Sequence, residues 1–153
     1  MLDNDRSGKR FERFVLKLFE LCEGFSLINS NIRTSTEEID MEYRLNTEMA
    51  RIFSSNELVI EAKNLKNPVN SAIIGTFHSK LILRQSNAGV VIATHSFTKD
   101  SIQKSFEIFL RNKVMILLFD DRDINQIIEG KKDLLYLIYE ERESIRNRKR
   151  VRT

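Results

Sequence analysis

Between Arg6 and Glu23 the apolar residues Phe11, Phe14, Val15, Leu18, Phe19 and Cys22 return every three or four positions, which is one face of an amphipathic helix. Ser7 is placed to cap its start and Gly24 to end it. The period then drops to two. "FSLINSNIR" alternates roughly, and "EEIDMEYRL" sets Ile39, Met41 and Tyr43 on one side and Glu38, Asp40 and Glu42 on the other, as on a half-buried strand. From Asn46 to Asn56 two readings stay open, a helical turn over "EMARIF" or an extended hairpin connection. "ELVIEAK" is a third strand.

Pro68 marks a helix start, and Val69, Ile73, Ile74, Phe77, Leu81 and Ile82 keep helical spacing to about Gln85, where "NAG" stops it. "VVIAT" is continuously apolar, the kind of strand covered on both faces. "SFTKDSIQKSFEIFLRN" is amphipathic again, "VMILLF" is a further buried strand and "DDRDINQIIEG" a short helix. A last helix runs from about Lys132 into the basic end. The order α-β-β-β-α-β-α-β-α-α predicts an antiparallel meander, then parallel strands added through right-handed crossovers. The expected fold is α/β, with helices on both faces of a mixed sheet.

Composition narrows this. A chain of 153 residues, 41% of them hydrophobic, suits one well-formed core and excludes the disordered class. The longest apolar run, Val114 to Phe119, is too short to span a bilayer, and the polar start does not read as a signal peptide. With Cys22 as the single cysteine, a disulfide framework is excluded and a cytoplasmic location expected. The thiol itself reads as structural. The net charge of +3 is a property of the end: residues 142–153 carry six Lys/Arg against one Glu. Two readings stand for that end: a segment that tracks phosphates, through Arg146, Arg148, Lys149, Arg150 and Arg152, or a solvated helix terminus whose cations suit the helix dipole. We expect a domain over 1–140 and a basic helix end over 141–153.

The stretch "LVIEAKN" places Glu61 and Lys63 two residues apart on one strand, so both side chains share a face while Leu58, Ile60 and Ala62 take the other. If the second and third strands pair, Asp40 joins them. Two converging carboxylates form a hard oxygen site of the kind that holds Mg²⁺, and a lysine beside them would stabilise charge on a phosphate or position water. The plainer alternative is a surface ion pair between Glu61 and Lys63, worth little to stability.

Four stretches in order carry a resemblance. "GKRFERFVLKLFELCEGF" has Gly8, Phe11 and Glu12 in a G-x-x-F-E arrangement. "EEIDMEY" offers an aspartate on a strand, "VIEAKN" a Glu-x-Lys, and "GVVIATHSFTKDSI" a strand running into a helix. Together they resemble the restriction-endonuclease-like superfamily, and within it the Mrr-type branch. The likeness covers roughly residues 7–118 and departs at Ile39, where proline is usual, and at Glu38, where many members have glycine. It implies a three-layer fold and Mg²⁺-dependent hydrolysis of DNA phosphodiester bonds, Mn²⁺ being a possible substitute, in a restriction, defence or repair system. It also implies that Asp40 and Glu61 ligate the metal, with the Ala62 carbonyl as a further ligand and Glu12 as an extra acidic contributor, while Lys63 serves the nucleophile or the transition state. For the polar helix residue that often assists, His78 and Ser71 are the candidates. His95 reads as a surface or capping histidine. DNA is the expected partner, with a homodimer or a separate recognition domain or subunit supplying specificity. The rival is an inactive nuclease fold that binds DNA or helps assemble a larger complex. A small-molecule α/β enzyme is excluded, because the chain has neither a Gly-rich phosphate loop nor a nucleophile elbow.

Overall fold

The structure, a computed structural model, describes the backbone of residues 2–33 and 38–151 and the side chains of 7–31 and 40–147. The elements follow in the order α1 (Leu2–Glu20), β1 (Phe25–Arg33), β2 (Glu38–Leu45), α2 (Thr47–Phe53), β3 (Glu57–Lys63), α3 (Ser71–Leu83), β4 (Ala88–Ala93), α4 (Lys99–Asn112), β5 (Met115–Phe119), α5 (Asp121–Ile128) and α6 (Leu134–Val151). One five-stranded sheet carries the strands in the order β1-β2-β3-β4-β5. The pairs β1/β2 and β2/β3 are antiparallel, and β3/β4 and β4/β5 are parallel. This is the mixed sheet that the periodicity predicts.

Alternation along the strands builds two cores. Leu58 and Ile60 of β3, Val90 and Ile92 of β4, and Leu117 and Phe119 of β5 face one layer, where they meet Val15 and Phe19 of α1 and Leu137, Ile138 and Ile145 of α6. Val59, Val91, Ile116 and Leu118 face the other, against Ile74, Phe77 and Leu81 of α3 and Ile108 of α4. The result is three layers, with β4 and β5 buried along their whole length. Five of the phenylalanines, Phe19, Phe53, Phe77, Phe106 and Phe119, lie inside the molecule.

The structure decides the reading left open after β2 and corrects three other expectations from the sequence. The stretch after β2 is a helix, α2, whose Asn46 side chain accepts the Met49 N–H and whose last turn closes at Ser54 in the left-handed region (φ 54°). Helix α1 begins before Ser7, which therefore does not cap it. Helix α3 starts not at Pro68 but behind Asn70, which caps it. Val69 is held instead in a parallel bridge to Phe97, its N–H on the Ser96 carbonyl and its own carbonyl accepting the Thr98 N–H. Ile82, read as part of the buried stripe, is 59% exposed.

Gly89 shows how closely α3 lies on the sheet. A Cβ there would stand 2.5 Å from Cε2 of Phe77 and 3.1 Å from Leu81, both buried. Gly89→Ala is expected to destabilise the fold by about 1–3 kcal/mol, the cost of forcing extra volume into a packed interior. Urea denaturation checks this, and an unchanged midpoint would contradict the packing described.

Candidate functional site

The β2/β3 ladder runs from the pair Arg44–Glu57 to the pair Met41–Ile60. One step further along the same register, Asp40 faces Glu61. There the backbone pairing gives way to a side chain: Asp40 Oδ2 accepts the Ala62 N–H at 2.7 Å. Along a strand the N–H and C=O of one residue point to the same side, so the Ala62 carbonyl is also turned toward β2. Asp40 and Glu61 thus lie at the point where the two strands begin to part.

Glu61 is 5% exposed, and its charge is answered by two lysines. Lys80 of α3 holds Oε1 at 2.6 Å, and Lys63 stands 3.5 Å from the same oxygen. Asp40 has no such cation in contact among the described residues. Burial pushes its carboxyl from 3.8 up to about 6; the charges of Glu12 and Glu61 add to the rise, while the Ala62 hydrogen bond and Lys63 oppose it. Glu12 of α1 therefore acts on Asp40 through its field. The end of β3 is tied down around this point: Asn64 donates to Ser7 Oγ of α1, and Thr94 Oγ1 donates to Asn64 and accepts the Leu65 N–H.

The structure brings Asp40, Glu61 and Lys63 together and adds Lys80, which sequence reasoning missed. The available signal was a lysine set between Phe77 and Leu81 on the buried edge of an apolar helix. The candidates His78 and Ser71 do not hold Glu61. Burial, and then the charge of Lys104 of α4, lower the pKa of His78, and its Nε2 has no partner among the described residues. His95 is engaged locally, its Nδ1 accepting the Ser96 N–H at 2.9 Å. Glu42, expected on the polar side of β2, is 7% exposed and paired with Arg84 at 3.1 Å. Of the basic end, Arg146 is exposed on α6, the side chains of Arg148, Lys149 and Arg150 lie outside the described residues, and so does the whole of Arg152. Helix α6 continues through residue 141, with Ile145 fully buried.

The donor set meets the modest demands of Mg²⁺, which takes one or two carboxylates and keeps several waters. Asp40, Glu61 and the Ala62 carbonyl are the groups that could supply it, two carboxylates and one backbone oxygen. Among the described residues no group of three or more His, Cys, Asp or Glu side chains forms a metal cage. None of the described helices is long and apolar enough to cross a membrane.

The comparisons with known proteins agree with this architecture. Among solved structures, the DNA modification-dependent restriction endonuclease AspBHI is similar, with a TM-score of 0.55 at 17% identity. The match covers 88% of this chain and 34% of that one, so the chain spans about a third of that protein's length. At that identity the likeness shows the fold. No curated protein matches. The Mrr_cat family model, described as restriction endonuclease, matches residues 4–128. That span takes in every strand of the sheet together with Asp40, Glu61, Lys63 and Lys80, and the chain belongs to the Mrr-type restriction endonuclease family.

Proposed function

We propose that the chain engages the DNA backbone at the Asp40–Glu61–Lys63 end of its sheet, as a nuclease-fold module of a restriction, defence or repair system. The observation that carries this is the convergence of both carboxylates and two lysines where β2 and β3 part. Sequence recognition would come from a further domain, a partner subunit or a second copy. Arg146 and the basic residues after it would add phosphate interactions.

Two finer readings divide from there. In the first, the module hydrolyses phosphodiester bonds. Asp40, Glu61 and the Ala62 carbonyl would hold Mg²⁺, which when bound would polarise the phosphate and acidify a water. Lys63, 32% exposed at its side chain, would turn its ammonium to the phosphate oxygens and stabilise the charge developing there. Asp40, held by the Ala62 N–H, would keep the near wall fixed. In the second reading the fold binds DNA or takes part in assembly without cutting. The absence of a third ligating side chain among the described residues, and the neutralisation of Glu61 by Lys80 and Lys63, back this reading better than a metal-loaded centre.

Cleavage of plasmid and linear DNA with Mg²⁺ or Mn²⁺ decides between them. If the module hydrolyses DNA, Asp40→Ala and Lys63→Ala are each expected to lose at least about a hundredfold in rate, the scale of removing one group that stabilises transition-state charge. A wild type that binds every DNA form with a steep salt dependence and cuts none establishes the second reading. No binding and no cutting would remove both.

A further inference from the structure

We propose that the cleft between the end of β3 and α3 is a subsite for one phosphate of the DNA backbone, with Lys80 as its principal ligand-binding group, and that it works without a metal. The inference rests on DNA engagement at this end of the sheet and not on hydrolysis.

The cleft is a cavity of about 250 Å³ lined by Glu61, Lys63, Asn70, Ile73, Thr76 and Lys80, among others. Against roughly 30 Å³ per water molecule, it has room for a phosphate group and several waters. Its charge has the right sign. Two ammonium groups face a single carboxylate, and the lining residues include no second one. The lining thus carries one net positive charge, with Asp40, close enough to feel Lys63, lying outside it.

Lys80 is also held in place. Its side chain is 14% exposed and its Nζ sits 2.6 Å from Glu61 Oε1. An ammonium has three N–H donors; Glu61 takes one, and the other two are available to an acceptor in the cleft. A long side chain already fixed by such a bond loses little freedom when a ligand arrives, which removes a usual cost of binding. Glu61 thus serves as an orienting group for the lysine. The first turn of α3 reinforces the site. Asn70 and Ile73 line the cavity, and the helix end they form carries the positive pole of its dipole.

The experiment is fluorescence anisotropy with a DNA duplex in EDTA across a salt series, using the full chain and its Lys80→Met and Lys80→Arg variants. We expect Lys80→Met to bind about tenfold more weakly and to lower the salt slope by about 0.9, the value for one phosphate fewer neutralised on duplex DNA. Lys80→Arg is expected to restore the slope, and inorganic phosphate to compete better against the wild type than against Lys80→Met. Equal affinity and slope for wild type and Lys80→Met would overturn the subsite while leaving DNA engagement intact. A wild type that does not bind DNA would instead remove the functional reading on which the subsite depends. Should Lys80→Met fail to fold, amine acetylation of the wild type read by mass spectrometry takes its place. Several-fold protection of Lys80 by DNA supports the subsite, and unchanged reactivity overturns it.

Discussion

Asp40→Asn is expected to make the protein more stable at pH 7, by up to about 3 kcal/mol. A carboxyl whose folded value is raised from 3.8 to about 6 holds its proton more tightly in the folded chain than in the unfolded one. Ionising it therefore costs the folded state about 1.4 kcal/mol for every tenfold change in proton affinity. The sign follows from that. Below about pH 4 the group is protonated in both states and its cost is absent. As pH rises through the window from about 4 to about 6 the wild type loses stability, and above it the loss is complete. Asparagine carries no charge through the window, and its Oδ1 keeps the Ala62 N–H. Urea denaturation of both proteins in EDTA, from pH 4 to 7.5, checks this. Asp123, whose carboxyl is also raised to about 6, is present in both and drops out of the difference. Parallel pH profiles for the two proteins would mean that Asp40 is not perturbed.

The opposite sign is expected next door. Glu61→Ala removes the carboxylate from between Lys80 and Lys63, leaving two ammonium groups converging on nothing. Lys63, at 32% exposed, has ample solvent within reach, whereas Lys80, at 14% exposed, is left with only the water of the cleft it lines. Breaking one side of a buried ion pair costs about 3 kcal/mol or more, chiefly because the remaining charge is stranded. Glu61→Ala should therefore destabilise by about 3 kcal/mol, and the double variant Glu61→Ala/Lys80→Met should recover most of it. A double-mutant cycle in urea reads the coupling directly. If the two losses simply add, the 2.6 Å ion pair adds little to stability.

Much of this molecule was legible in its sequence because the dominant signals were periodic and long. α1, α4 and the early strands follow from spacing, β4 and β5 from their continuous apolar runs, and the close succession of the first three strands suggests the meander in which Asp40 stands opposite Glu61. What was not legible depended on partners distant in sequence. α2 is seven residues long and closes on a serine in the left-handed region rather than on a glycine, so its ends gave weak marks. Pro68 was a reasonable helix start in isolation, but Val69 is claimed by Ser96, Phe97 and Thr98, a segment nearly thirty residues away. Glu42 fell on the polar side of its strand and is nonetheless buried, because Arg84 at the end of α3 covers it. Lys80 belongs to the same class. Nothing in "IIGTFHSKLIL" says that its one lysine reaches back to a glutamate nineteen residues earlier. Asp40, Glu61 and Lys63 were visible as residue types, whereas the charge balance that decides their chemistry was not.

The agreement between strand order in the sheet and strand order in the chain bears on how the protein is made. Each strand pairs with the one synthesised just before it, so no gap has to be held open for a later insertion. Asp40, Glu61, Lys63 and Lys80 all come ahead of β4 and β5 in the sequence. Folding topologies rich in nearby pairings are fast, and during synthesis the N-terminal part has the earlier start. During synthesis the meander and its charged corner therefore emerge ahead of β4 and β5, and ahead of α6, which brings Ile145 into the core with Val15 and Phe19.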